Sequence, residues 1–291
     1  MTQAWPEIAD PLEANGQAER VNFATGLMLD AEDFRAEQTY HRSRLARLVQ
    51  ALVGHGTLAG LAVNAPEDGD ATLEIRVEAG IAADRLGRLI EVTYAQCLRL
   101  ARWYEQQDDA PLLAAMSIDP DDAAARIVTC DVFLSAHGCA RGHSPAFSTG
   151  ARDSIDATVP SRLEERAELS LVLRPEGGGD PIPAPENSWP AGNSSRMNKL
   201  AAVLGSWPDP SELAGPDGGL PAFREHVGGQ DPASVFLARI SIPVVAPGSG
   251  EIRPRLRLDA PVRVDNSLRP FIFLPGKWLG SPLRPVSPVQ P

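Results

Sequence analysis

Twenty of the 27 prolines in this 291-residue sequence stand after Leu173, and that imbalance limits the fold more than any other feature of the chain. A proline cannot donate a backbone hydrogen bond and fixes φ, so a segment interrupted this often builds neither long helices nor the middle of a sheet. The second half is therefore expected to consist of strands and loops. Regular helix is expected before it.

The one long helix predicted runs over 30–53. Asp30 is a good N-cap, Asp33 places a second carboxylate in the first turn where the helix dipole favours it, and Gly54 supplies a left-handed stop. Phe34, Gln38, His41, Leu45, Leu48, Val49 and Leu52 recur mostly at spacings of three and four, which marks an inner face. The stripe of Leu45, Leu48 and Leu52 is expected to pack on a strand carrying Leu73, Ile75 and Val77.

Beyond Gly56 the period changes. Leu73, Ile75 and Val77 alternate with polar residues as in a half-buried strand, and the turn Asp84-Arg85-Leu86-Gly87 leads to a second strand at 88–93, so that a β-meander is expected. One or two short helices are predicted in 98–116, and strands at 126–136, around Leu169 to Leu173, at 235–245 and at 253–264, with Pro243 and Pro254 directing the last two to sheet edges. The stretch 177–221 is rich in Gly, Pro, Asn and Ser apart from a short helix from about Asn193 to Gly205. The fold class expected is α+β, mainly β: a long N-terminal helix, a β-meander or sandwich with long Pro/Gly-rich loops, and an extended C-terminal arm. Its units are 1–55 (N-terminal segment and helix), 56–176 (β-rich core), 177–232 (insertion), 233–268 (return strands) and 269–291 (arm).

Charge removes some functions. The formal net charge is −11, with 27 Lys+Arg against 38 Asp+Glu, which argues against nucleic-acid binding because phosphate neutralisation needs clustered cations. No run of about 18 apolar residues predicts a transmembrane segment, and the acidic start does not read as a secretory signal. Three cysteines, an odd number, suit a reducing compartment, so a cytoplasmic chain is expected.

Chemistry-bearing motifs are sparse. Cys130, His137, Cys139 and His143 are four zinc-ligand types within a short stretch, but C-x6-H-x-C-x3-H lacks the paired short spacings of structural zinc modules, and a buried cysteine beside a loop with two histidines is the simpler reading. The carboxylates of Asp119, Asp121 and Asp122, or of Asp153 and Asp156, suit solvated turns better than a calcium loop. His41, on the presumed inner face, reads as a hydrogen-bonded core histidine. No G-x-S-x-G or phosphate-binding glycine loop occurs. No catalytic residue, resident metal or cofactor is therefore expected. Trp189, Trp207 and Trp278 suit loop anchors for protein or carbohydrate, and the arm offers Phe271, Phe273, Lys277, Trp278 and Arg284 as partner contacts.

One run of residues carries a family resemblance. It comprises Asn22-Phe23-Ala24-Thr25-Gly26-Leu27-Met28-Leu29-Asp30-Ala31-Glu32-Asp33-Phe34, Glu37-Gln38-x-Tyr40-His41, Gly60-Leu61-x-Val63, and Val77-Glu78-Ala79-Gly80-Ile81-Ala82-Ala83-Asp84 with Gly87-Arg88-Leu89-Ile90. Echoes follow at Pro160-Ser161-Arg162, Leu237-Ala238-Arg239-Ile240 and Val264-Asp265-Asn266-x-x-Arg269-Pro270-Phe271. In this order they resemble a family of structural proteins associated with contractile phage tail-like injection systems. The resemblance implies a non-enzymatic subunit in a baseplate, attachment or capping position, in contact with other subunits and with copies of itself, in a particle assembled in the cytoplasm and open to release. The alternative is a β-rich carbohydrate-binding or host-recognition module.

Overall fold

The computed structural model describes residues 19–66, 73–145, 158–175, 181–185, 198, 220–270 and 272. The fold is α+β and mainly β. Helix α1 (Ala31–Leu52) is followed by β1 (Gly56–Gly60), β2 (Val63–Asn64), β3 (Glu74–Val77), β4 (Gly80–Ala83), β5 (Leu89–Val92) and β6 (Gln96–Arg99). Two short helices, α2 (Leu100–Glu105) and α3 (Asp109–Ala114), lead to β7 (Met116–Asp119), β8 (Asp122–Arg141), β9 (Ser144–Pro145), β10 (Thr158–Val159) and β11 (Arg162–Leu173). The chain returns with β12 (Val235–Val245), β13 (Arg255–Leu256) and β14 (Arg263–Asp265).

The meander is built from three bent ribbons. β1 pairs with β4 and β4 with β5, while β2 pairs with β3 and β3 with β6, so the central ribbon β3–β4 is flanked by β1–β2 and β5–β6. The bend sits where Leu61 takes φ 58 and its N–H reaches the Ala79 carbonyl at 3.2 Å. Glycine is required there: a Cβ on Gly60 would lie 2.1 Å from Ala79 O, and one on Gly80 would lie 2.3 Å from Ala59 O.

The larger sheet runs β11-β8-β12-β13, with β7 on β8 and β14 on β12. β8 and β11 pair without interruption from Arg162 opposite Arg141 to Leu173 opposite Cys130. Cys130, Val132 and Leu134 face the main core with Ile75, Val77, Leu100, Leu112, Ile240 and Ile242. The intervening Asp131, Phe133 and Ser135 are buried as well, because 220–234 covers the other face. Burial of both faces explains why 127–135 reads as a continuous apolar run rather than an alternating one.

Four expectations are corrected here. The Leu45, Leu48 and Leu52 stripe does not pack on Leu73, Ile75 and Val77: those leucines are 59%, 54% and 63% exposed, and the buried residue of α1 is Ala46. The helix approaches the meander too closely for leucine, since a Cβ on Gly87 would lie 2.1 Å from the Ala46 carbonyl oxygen, and small residues on both sides make that contact. His41 accordingly sits on the outer face, exposed, with its Nε2 2.9 Å from Glu37 Oε1.

Pro243 is not at a sheet edge; it lies in β12, which has β8 on one side and β13 and β14 on the other. Its missing N–H faces the gap between the β14 pairing, which ends at Ser241, and the β13 pairing, which begins at Val244, and its carbonyl there accepts from Arg257 N at 3.0 Å. The strand expected at 253–264 is likewise two short strands. At that break Pro254 O accepts from the buried Tyr104 hydroxyl at 2.9 Å, and burial pushes the Tyr104 pKa up to about 12. The expected short helix near 193–205 lies outside the described residues apart from Asn198, and the expected arm lies outside them beyond Pro270 and Ile272.

Candidate functional site

Among the described residues, two polar clusters and one groove are places where chemistry could reside. The first cluster joins the meander to the end of the large sheet. Asn266, one residue past β14, donates from Nδ2 to Val63 O at 2.9 Å and accepts from Val63 N at 3.0 Å through Oδ1, so its amide pairs with β2 as a further strand would. Arg269, 4% exposed, donates from Nε to Leu237 O at 3.1 Å, from Nη1 to Gly60 O at 3.1 Å, and from Nη2 to Leu61 O at 2.9 Å and to Asn266 Oδ1. A planar guanidinium is the side chain that can satisfy this many acceptors at fixed angles. The chain then runs beside β1, where Thr57 N donates to Pro270 O at 3.0 Å.

A guanidinium–carboxylate pair shapes the neighbouring turn. Asp84, fully buried, accepts from Leu86 N and Arg88 N at 2.9 Å each and from Arg88 Nε at 2.6 Å. Burial raises its pKa, with Arg88 opposing. In both places the polar groups are spent on one another and on the backbone, and they position ribbons rather than face open space.

The second cluster lies under 220–234 on the other face of the sheet. Asp131 accepts from Arg239 Nε and Nη2 at 2.8 and 2.9 Å through Oδ1 and Oδ2, and Arg174 Nη1 stands 3.6 Å from the same Oδ2. Arg174 also donates to Glu225 O, and Arg239 to Ile182 O and Pro183 O, which ties 181–185 and 220–234 to the sheet. Beside them His55 stacks on Phe223 with ring centroids 4.9 Å apart, and the Arg85 guanidinium lies 3.7 Å from the same ring. Burial, then Arg85, then His226 lower the His55 pKa to about 4. His226 is shifted in the same direction, chiefly by burial, with the Ser234 carbonyl opposing.

His226 and Ser234 make the contact most like a catalytic pair, Nε2 to Oγ at 3.2 Å. Ser234 Oγ, however, donates to Asp231 O at 2.7 Å, and His226 Nδ1 has no hydrogen-bond partner to orient the ring. Both residues are buried, at 5% and 8% exposure, so the pair lacks the third group and the access that nucleophile activation needs.

The groove, of about 680 Å³, separates α1 from β5, β8 and β11. Arg42 bridges it to Glu165 at 3.1 Å, and His137 on its floor lies 3.3 Å from Glu168. Its walls mix Arg35, Glu91, Glu164 and Arg166 with the apolar Leu89 and Leu163, a lining without the convergence of one charge sign or of acid, base and nucleophile.

The four zinc-ligand types do not come together. Cys130 faces the core, whereas His137 and Cys139 differ from it by odd numbers of residues along an unbroken pairing and stand on the opposite face of β8. His143 is exposed beyond the strand end, and among the described residues no three His, Cys, Asp or Glu side chains are placed to share an ion. Asp119 is held by Arg263 through two bonds of 2.7 and 2.8 Å, which keep its carboxyl below the usual range. Asp153, Asp156, Trp189, Trp207, Phe271, Phe273, Lys277, Trp278 and Arg284 lie outside the described residues.

Sequence reasoning missed the Asp131–Arg239 pair, although an aspartate inside the apolar run 127–134 signals a buried partner, since an isolated carboxylate there would be costly. Compared with known protein families and with curated proteins, the sequence matches none. Among the described residues no helix is long and apolar enough to cross a membrane.

Proposed function

We propose that the chain is a non-enzymatic structural component of a contractile phage tail-like injection particle, in a baseplate, attachment or capping position, assembled in the cytoplasm beside other subunits and copies of itself. One observation carries the reading: the separated motifs behind the family resemblance meet in a single buried lock. Gly60, Leu61 and Val63, then Leu237, then Asn266 and Arg269 come from three distant stretches, and their polar atoms satisfy one another. Gly87 and Arg88 belong to the turn on which α1 rests. A motif set that specifies the relative placement of a helix, a meander and a sheet suits a part with fixed shape, because catalytic motifs leave their acids, bases and nucleophiles facing substrate. Deleting the chain from a producing cell should leave particles incomplete or unable to inject, and mass spectrometry of intact particles should find it at fixed stoichiometry. Complete, functional particles after the deletion would overturn the proposal.

A further inference from the structure

Helix α1 presents a regular row of six side chains to solvent, four of them large and apolar. Phe34, Gln38, His41, Leu45, Leu48 and Leu52 follow one another at steps of four, three, four, three and four, and all six are exposed. Phe34 is 55% exposed, about as open as the three leucines. The mean step is 3.6, a straight face of an α-helix, and the alternation of four and three sets these residues at the two core positions of a heptad. The opposite side of α1 is already used, by Ala46 on the Gly87 turn and by Gln50 Nε2 donating to Arg85 O. The row is therefore a second, mostly apolar face that the described fold leaves exposed, with Gln38 at the rim of the groove.

Charge selects what fits it. In heptad terms Phe34, His41 and Leu48 occupy one core position and Gln38, Leu45 and Leu52 the other, which puts Arg35, Arg42, Glu37 and Arg44 on the flanks. Glu37 already accepts from Val21 N at 3.1 Å and contacts His41 at 2.9 Å. After Glu37 every charged residue of α1 is an arginine: Arg42, Arg44 and Arg47. A second copy fits poorly. Fully overlapped and antiparallel, it would set Arg42 and Arg44 against their own counterparts, and in parallel it would stack Gln38 on Gln38 and His41 on His41. Arg42 is already bridged to Glu165 at 3.1 Å, so a helix with carboxylates on its flanks meets Arg35 and Arg44, and it can place a hydrogen-bonding residue opposite Gln38 and His41, which would set the register.

We propose that the outer face of α1 docks an amphipathic helix of another protein, one with apolar residues on a heptad spacing and Asp or Glu flanking them. The inference goes beyond the particle assignment and does not rest on it.

The test uses the full chain and a labelled three-heptad peptide with Leu at both core positions and Glu at both flanking positions, whose like charges keep it from pairing with itself. Fluorescence anisotropy should show saturable binding that weakens at least about tenfold when Lys replaces Glu in the peptide. It should weaken by a similar factor in a Leu45→Ser, Leu48→Ser double variant with an unchanged melting temperature. Arg44→Glu should shift preference toward the Lys peptide. Equal binding of both peptides, or binding of neither, overturns the proposal. So does a dimer of the chain in sedimentation velocity that the double variant abolishes, since a second copy would then be the occupant.

Discussion

The lock around Arg269 and the outer face of α1 treat polarity in opposite ways. At the lock a guanidinium is 4% exposed and makes four hydrogen bonds, while on α1 Leu45, Leu48 and Leu52 are each more than half exposed. Burying a charge is tolerable when the chain supplies all its partners, and exposing leucines is tolerable when they make no contact that the fold requires. Internal completeness marks the lock as structure. The exposed row on α1 has no such completeness among the described residues.

The largest effect expected from breaking this contrast is at Arg269. Arg269→Met strands three backbone carbonyls and leaves the Asn266 amide oxygen with Val63 N alone, and urea melts should show a loss of about 3 to 5 kcal/mol. A loss below about 1 kcal/mol would mean that the lock does not hold the meander to the sheet. Gly87→Ala comes next, because φ is +78 and the new methyl would press on the Ala46 carbonyl. About 2 to 3 kcal/mol should be lost, with α1 displaced, which reduced protection of its amides from hydrogen exchange would report.

A third prediction concerns acid. The fold holds His55 near pKa 4 against 6.5 for the free side chain, so the unfolded chain binds the proton more readily. Stability is therefore unaffected above about pH 6.5 and falls as the pH drops toward 4. Discounted for partial exposure, the loss is on the order of 2 kcal/mol. His226 adds to it in the same direction. Melts at pH 7.5 and 4.5 should differ less in His55→Asn than in the unaltered chain, and an equal difference would remove His55 as a cause. The smallest effect belongs to Leu48→Ala, which should cost less than about 0.5 kcal/mol in the isolated chain. A loss of about 2 kcal/mol or more would show that the outer face is covered within the chain itself and would erase the contrast.

Much of the fold was legible where the determinants are local. The Asp30 capping box and Gly54 bound α1 within a residue of the expected limits, and β12 spans Val235–Val245 as its apolar pattern predicts. The orientation of α1 was not legible. Its apolar row is the obvious inner face, and only the close approach of Gly87 to Ala46, residues far apart in sequence, shows that the helix packs by its small residues instead. β8 outruns the expected 126–136 at both ends because Asp122 to Ala125 and His137 to Arg141 are set in strand by β7 and β11 rather than by apolar alternation of their own. The lock was visible only as scattered echoes. Asn266 lies 203 residues from Val63, and nothing in the spacing of Asn266 and Arg269 reveals which carbonyls they meet.

The unbroken pairing of β8 with β11 has a mechanical consequence. Bonds between antiparallel strands lie across the strand direction, so a tension applied along β8 strains the row from Arg162–Arg141 to Leu173–Cys130 together. A pull at right angles from the Arg162 end opens the same row one pair at a time. The sheet is thus a beam, stiff along one axis and peelable along another, and the direction in which a neighbour tugs on it sets the force that it withstands.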